Sequence, residues 1–244
     1  MAHPAGPRWR RYGGRSTLHH RRGERHERAD ELEQVRRLAD EDITLLGEQL
    51  QRLDAVIADR PLDDLARVDY QRALDAYETA QRTTRAISEV DEISTVTDTL
   101  SMGRYAMACV QARVDGAPVP AYRVPCFFNP QHGPSSRDVE WTRPGRGTRI
   151  VPACAQDAAR VEADEVPGVR YVQVGSRKVP YWEAGGAYAP YGRGYFVSDF
   201  AVGGFYLAAA FDTPVMGSGD YWTSGHGYGA DGFGGSGFGG GGGD

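Results

Sequence analysis

Thiols, imidazoles and carboxylates are the ligands that hold zinc, and a thiol beside an imidazole is also a possible nucleophile. In this sequence they gather in pairs within one stretch, Cys126 to Asp157. It opens with Cys126-Phe-Phe-Asn-Pro-Gln-His132-Gly and closes with Val151-Pro-Ala-Cys154-Ala-Gln-Asp157. Asn129-Pro130 forces a turn, because the residue before proline avoids the helical region and proline sets its own φ. Cys126 and His132 therefore flank a knuckle. Between the pairs, Val139-Glu-Trp-Thr and Arg149-Ile-Val read as strands joined by the turn Arg143-Pro-Gly-Arg-Gly. A helix follows from about Cys154 to Glu162, with Cys154 and Asp157 three apart in its first turn and facing the same way. Knuckle, hairpin and helix start form the layout of a treble-clef or ribbon-type zinc site with ligands Cys126, His132, Cys154 and Asp157.

The same residues admit other chemistry. A Cys2HisAsp set is an uncommon structural zinc site. The cysteines also suit small buried apolar positions, Cys126 and Cys154 suit a disulfide in an exported chain, and His132 suits a hydrogen bond within its own turn. A cysteine-dependent enzyme would use Cys126 or Cys154 as nucleophile and His132 as base. No third orienting group is evident, and a thiol placed before Phe127-Phe128 in an apolar strand resists ionisation.

Three segments here, Cys126-Phe-Phe-Asn-Pro-Gln-His-Gly, Val151-Pro-Ala-Cys and Val179-Pro-Tyr-Trp-Glu-Ala-Gly, carry a resemblance. Together with Tyr70-Gln-Arg-Ala-Leu-Asp-Ala-Tyr-Glu and Gly103-Arg-Tyr-Ala, they resemble an uncharacterised family of actinobacterial, Streptomyces-like proteins over roughly residues 40 to 196. Related proteins carry Cys-x2-Cys where this chain has Cys154-x2-Asp157. The resemblance implies a metal-ribbon ancestry and carries no function with it.

The elements that must position these residues are mainly helical. Ile43, Leu46, Leu50, Leu53 and Ile57 repeat at alternating spacings of three and four, which predicts a helix over 29–59. Ala66, Tyr70, Ala73, Tyr77, Ala80, Thr84 and Ile87 predict a second over 62–87, its alanines permitting a close helix approach. Ile93, Val96, Leu100, Gly103, Met107, Val110 and Val114 predict a third over 90–114, with Ser88-x-x-Asp91 as its capping box. Gly103 costs about 1 kcal/mol against alanine in a helix, so it marks a close contact. Val169–Val174 and Lys178–Trp182 predict a hairpin that extends the small sheet. The aromatic run 181–196 reads as a lid over the helices, with stacking on bases or sugars as the other reading.

The expected fold is α+β: an antiparallel three-helix bundle (29–115), then a β-hairpin and helix module of zinc-ribbon type (116–196), between disordered ends. Residues 1–28 are a basic arm. The first thirty residues hold eight arginines against three acids, whereas 31–115 hold ten against eighteen. An acidic body argues against broad nucleic-acid binding by the folded part. Residues 197–244 are a Gly/aromatic tail with fourteen glycines in its last 28 positions and no arginine there, which excludes an RGG-type RNA binder. Phe200–Phe211 is too short to span a bilayer. No signal peptide is recognised, and the chain reads as cytoplasmic. The first functional expectation is a non-catalytic interaction or scaffold protein engaging a protein partner, or itself, through its helices. The second is nucleic-acid binding through the arm and module.

Overall fold

The computed structural model describes residues 16–143 and 147–196. They form a mostly helical α+β fold with five helices and two small antiparallel hairpins among the described residues. The glycine-rich tail from 197, with the apolar stretch Phe200–Phe211, and most of the basic arm lie outside them. Among the described residues no helix is long and apolar enough to cross a membrane.

Helix α1 (Ser16–Ile57) carries the expected seam, with Ile43, Leu46, Leu50 and Leu53 buried. It starts at Ser16 rather than at 29, so the later part of the basic arm is helical and not disordered. From Ser16 to Asp30 the sequence has no proline and is rich in Arg and Glu, both strong helix formers, with Glu24 four residues ahead of Arg28. Residues 23–31 are exposed, so this turn-by-turn propensity and not packing maintains the extension. Helix α2 (Asp64–Ala86) begins at Asp63, whose carboxylate caps the Ala66 N–H at 2.6 Å. Ala66, Ala73 and Ala80 are buried and Tyr70 and Tyr77 are half-buried along its seam.

Helix α3 (Ile93–Val114) is preceded by a 3-10 turn, Val90–Glu92. The Ser88–Asp91 box does not form. Instead Glu92 reaches back to the Ser88 and Glu89 N–H groups at 2.6 and 3.1 Å, because its longer side chain closes the box that aspartate cannot. Gly103 is the close contact its helical cost implied: a Cβ there would lie 3.0 Å from Ala76 Cβ and 3.4 Å from Leu46 Cδ2. Three helices meet at that point.

Strands β1 (Arg137–Arg143) and β2 (Gly147–Ala153) pair antiparallel with Val139 opposite Val151 and Trp141 opposite Arg149. Helix α4 (Ala155–Glu162) follows directly. Strands β3 (Tyr171–Val174) and β4 (Arg177–Pro180) form the second hairpin around Gly175, whose φ is +60°. This hairpin stands as a separate two-stranded sheet and does not extend the first one. Helix α5 (Ala189–Tyr195) ends the described chain, packed on α3 so closely that Gly194 is the residue its path requires. Tyr181, Trp182, Tyr188, Tyr191, Tyr195 and Phe196 are all buried, which fits the lid and not an exposed stacking platform.

One hydrophobic core runs from Val35 on α1 through Leu100 on α3 to Phe127, Phe128, Trp182 and Tyr191. A buried polar network crosses it. Asp42, with no exposed surface, lies among the seam residues of α1 instead of on its solvent face. Its Oδ2 accepts from the Tyr191 and Tyr195 hydroxyls at 2.6 Å each, and its Oδ1 accepts from Arg170 at 3.0 Å and from the Gln131 amide. Gln49 Nε2 donates to the Gln131 carbonyl at 3.0 Å. Burying a carboxylate requires such a set of donors. Here they come from three separate parts of the chain, and one of them is the residue before His132.

Candidate metal centre

Cys126 is placed by a short ladder. Its N–H donates to the Gly133 carbonyl at 3.0 Å and the Ser135 N–H donates to Val124 at 2.9 Å. Between them Asn129-Pro130 starts a 3-10 turn, Pro130–His132. The Asn129 side chain accepts from Gln131 N at 3.0 Å, and Gly133 leaves the turn at φ +83°. The Phe127 N–H then donates to Pro152 at 2.8 Å, which docks the knuckle onto the end of β2. Cys154 is the N-cap of α4, and its sulfur accepts the Asp157 N–H at 3.4 Å. Asp157, in the first turn of α4, is where an acid suits the positive end of the helix dipole on any reading.

The four residues named from the sequence come together. One ligand atom from each of Cys126, His132, Cys154 and Asp157 lies within 4.8 Å of all the others. Asp157 Oδ2 is central, at 2.9 Å from His132 Nδ1, 3.3 Å from Cys126 Sγ and 3.5 Å from Cys154 Sγ. Cys154 Sγ is 3.7 Å from His132 Nδ1. Ligand atoms around a tetrahedral zinc ion stand about 3.3–3.8 Å apart, given bonds of about 2.0–2.3 Å. The observed spacings straddle that range, and this group can hold a metal ion.

The surroundings support the four. Asp157 Oδ1 accepts from the Gly168 N–H at 2.8 Å and from Arg160 at 3.4 Å. Asn129 Nδ2 lies 3.2 Å from His132 Nε2. Asn129 Oδ1 faces the Gln131 N–H, and Nδ1 is the ring nitrogen of His132 turned toward Asp157 and Cys154. Gly168 has no room for a side chain: a Cβ would lie 2.9 Å from His132 Cε1 and 3.3 Å from Asp157 Oδ1.

Charge is already arranged for a cation. The Cys126 thiol donates toward Cys154, and with His132 and the Asp157 N–H it holds Cys154 down to about 5 against the opposing effect of burial. The same hydrogen bond and burial push the Cys126 thiol up. Cys154 raises His132 above its ordinary value, and the Asp157 carboxylate adds to that. Burial opposes ionisation of Asp157, but the Gly168 N–H, Cys126 and His132 outweigh it and leave its pKa lowered.

Cys126, Cys154 and Cys109 are all free thiols, so the Cys126–Cys154 disulfide does not form here. The imidazole meets Cys154 and Asp157 through Nδ1 and Asn129 through Nε2. Sequence reasoning did not reach Gly168, Arg160 or Asp42, and read Asn129 only as a turn former. Pro167-Gly168 reads only as a turn, and nothing local ties it to a site. Asp42 carried a readable signal, since with Val35, Ala39 and Leu46 it continues the four-three-four spacing of the seam.

No protein-family model, curated protein or solved structure matches this chain.

Proposed function

We propose that the chain is a non-catalytic interaction protein. In this reading α1, α2 and α3 form an antiparallel bundle, and a ribbon-like module is held against it by a structural zinc ion on Cys126, His132, Cys154 and Asp157. The observation that carries it is the convergence of four ligand atoms to within 4.8 Å from two segments separated by a hairpin. Two sulfurs, one nitrogen and one oxygen suit zinc, which accepts mixed ligands in a tetrahedron. Four protein ligands fill that tetrahedron and leave no place for substrate, which is the pattern of structural and not catalytic sites. Knuckle, hairpin and helix start follow the ribbon order, and the hydrogen bond from the Gly168 N–H to Asp157 is the kind of outer support that orients metal ligands.

The test is elemental analysis of the purified full chain, prepared without chelators, together with a count of reactive thiols. One zinc per chain, with Cys126 and Cys154 protected from reagent and the zinc lost in Cys154→Ser, is the expected result. No zinc with all three thiols reactive overturns the reading, as does zinc retained by Cys154→Ser.

A further inference from the structure

The group at Cys126, His132, Cys154 and Asp157 holds two kinds of ligand. Imidazole and carboxylate are inert to mild oxidants, whereas a thiol climbs a ladder of oxidation states. The two thiols here are neighbours. Their sulfurs lie within 4.8 Å of each other, and both approach Asp157 Oδ2, Cys126 at 3.3 Å and Cys154 at 3.5 Å. The third cysteine of the chain, Cys109, is buried on α3 and stands outside the group. Cys126 and Cys154 are therefore the one thiol pair that the fold brings together.

The pair is asymmetric. Cys126 has no exposed surface, and the backbone around it is pinned by the bonds from its own N–H to Gly133 and from the Phe127 N–H to Pro152. Cys154, half-buried as the N-cap of α4, is the more accessible of the two. Its sulfur holds the helix only through the Asp157 N–H at 3.4 Å. Sulfur is a weak acceptor, so turning it toward Cys126 costs α4 little. An accessible thiol beside a shielded one is the arrangement of an oxidisable cysteine with its resolving partner.

We infer that Cys126 and Cys154 are a reversible oxidation site for hydroperoxides, and that on the zinc reading above their closure to a disulfide expels the metal. The Cys154 thiolate attacks the terminal peroxide oxygen. An S–O bond forms, the O–O bond breaks, and the departing hydroxide or alkoxide carries the electron pair, so sulfur is oxidised by two electrons and the peroxide is reduced by two. The Cys126 thiolate then attacks the Cys154 sulfur. The S–S bond forms and the sulfenic oxygen leaves as hydroxide. Both leaving oxyanions take protons from water. Two sulfurs leave the coordination shell together, and His132 with Asp157 alone are too few ligands to keep zinc. The disulfide still ties the knuckle to the start of α4 across both strands of the first hairpin, so the module exchanges one cross-link for another.

The experiment treats the zinc-loaded full chain with hydrogen peroxide in small molar excess. Zinc release is followed with a chromogenic chelator, and the cross-link by mass spectrometry of the digested, alkylated chain. The expected result is one zinc released per Cys126–Cys154 disulfide formed, with Cys109 still alkylated after unfolding, and both changes reversed by dithiothreitol and added zinc. In Cys126→Ser the oxidation should stop at a Cys154 sulfenic acid that dimedone captures, a readout independent of bound metal. Cys154 carried to the sulfinic acid without a cross-link, a disulfide through Cys109, or zinc retained beside a complete Cys126–Cys154 cross-link overturns the proposal. The two readings fail separately. A chain that takes up no zinc yet closes the same cross-link overturns the structural zinc and upholds the thiol pair, and a zinc-loaded chain whose thiols never cross-link does the reverse.

Discussion

Zinc added to the metal-free chain at pH 6.5 should displace about 1.5 to 2 protons, and that number follows from the site's geometry. Cys154, held down to about 5, and Asp157, below its ordinary value of 3.8, are already ionised at that pH and release none. Cys126, raised above 9.0, must give up one whole proton to become a ligand. His132, raised above 6.5, holds between about half and one proton and must lose it. The same four groups at their ordinary values would release about 2.5 protons, because both thiols would be protonated. Calorimetric titration of zinc in buffers of different ionisation enthalpy reads the count directly. Cys126→Ser should lower it by about one. A count near 2.5 refutes the pre-ionised Cys154, and the absence of saturable heat refutes the site. Zinc at a hundredfold excess over its Kd should stabilise the fold by about 2.7 kcal/mol, which for a chain of this size is a rise in Tm of about 5–11 °C.

The metal-free protein has its own pH dependence. Cys154 has a folded pKa below its unfolded one, so its contribution is full above 9.0 and disappears as pH falls through about 5; His132 contributes fully below 6.5 and loses this as pH rises through its raised value. Alkylation of Cys154 should accordingly be flat in pH above about 6 and slow sharply below 5. Gly168→Ala should weaken zinc binding about 10–100-fold, read by competition with a chromogenic chelator, while leaving the helical circular dichroism unchanged. Asp42→Ala takes the shared acceptor from the buried Tyr191 and Tyr195 hydroxyls and leaves half-buried Arg170 with only the exposed Glu41, and should cost about 3–5 kcal/mol in denaturant unfolding. Gly194→Ala puts a methyl group 2.0 Å from Ser94 O and Thr97 Oγ1 and should cost about 3 kcal/mol or more. Gly23→Ala meets nothing within 4 Å in the exposed start of α1 and should add up to about 1 kcal/mol of helix stability.

The parts of this fold that were legible in the amino-acid order are those set by local periodicity. The seams of α1, α2 and α3 follow from apolar spacing, the two hairpins from turn residues between alternating strands, and the Asn129-Pro130 knuckle from proline's fixed φ. The four ligand types at Cys126, His132, Cys154 and Asp157 were also legible, because a knuckle and a helix start aim side chains in known directions. The start of α1 was misjudged because charge and glycine suggested disorder, while arginine and glutamate favour helix residue by residue. The α3 cap went to Glu92 because one methylene decides which carboxylate closes a loop of that size.

Local order determined which elements form and which side chains are able to ligate. Only the tertiary structure decided that the two pairs meet, that Gly168 leaves the space in which they meet, and that Asp42 is turned inward to hold the residue beside His132. It also decided that the two hairpins remain separate sheets. The physical reason is distance along the chain. Asp42 and its tyrosines are about 150 residues apart, and no period or turn rule acts over that separation. Those contacts exist because packing one core brings the groups together, and burial then requires each polar group to find its partner.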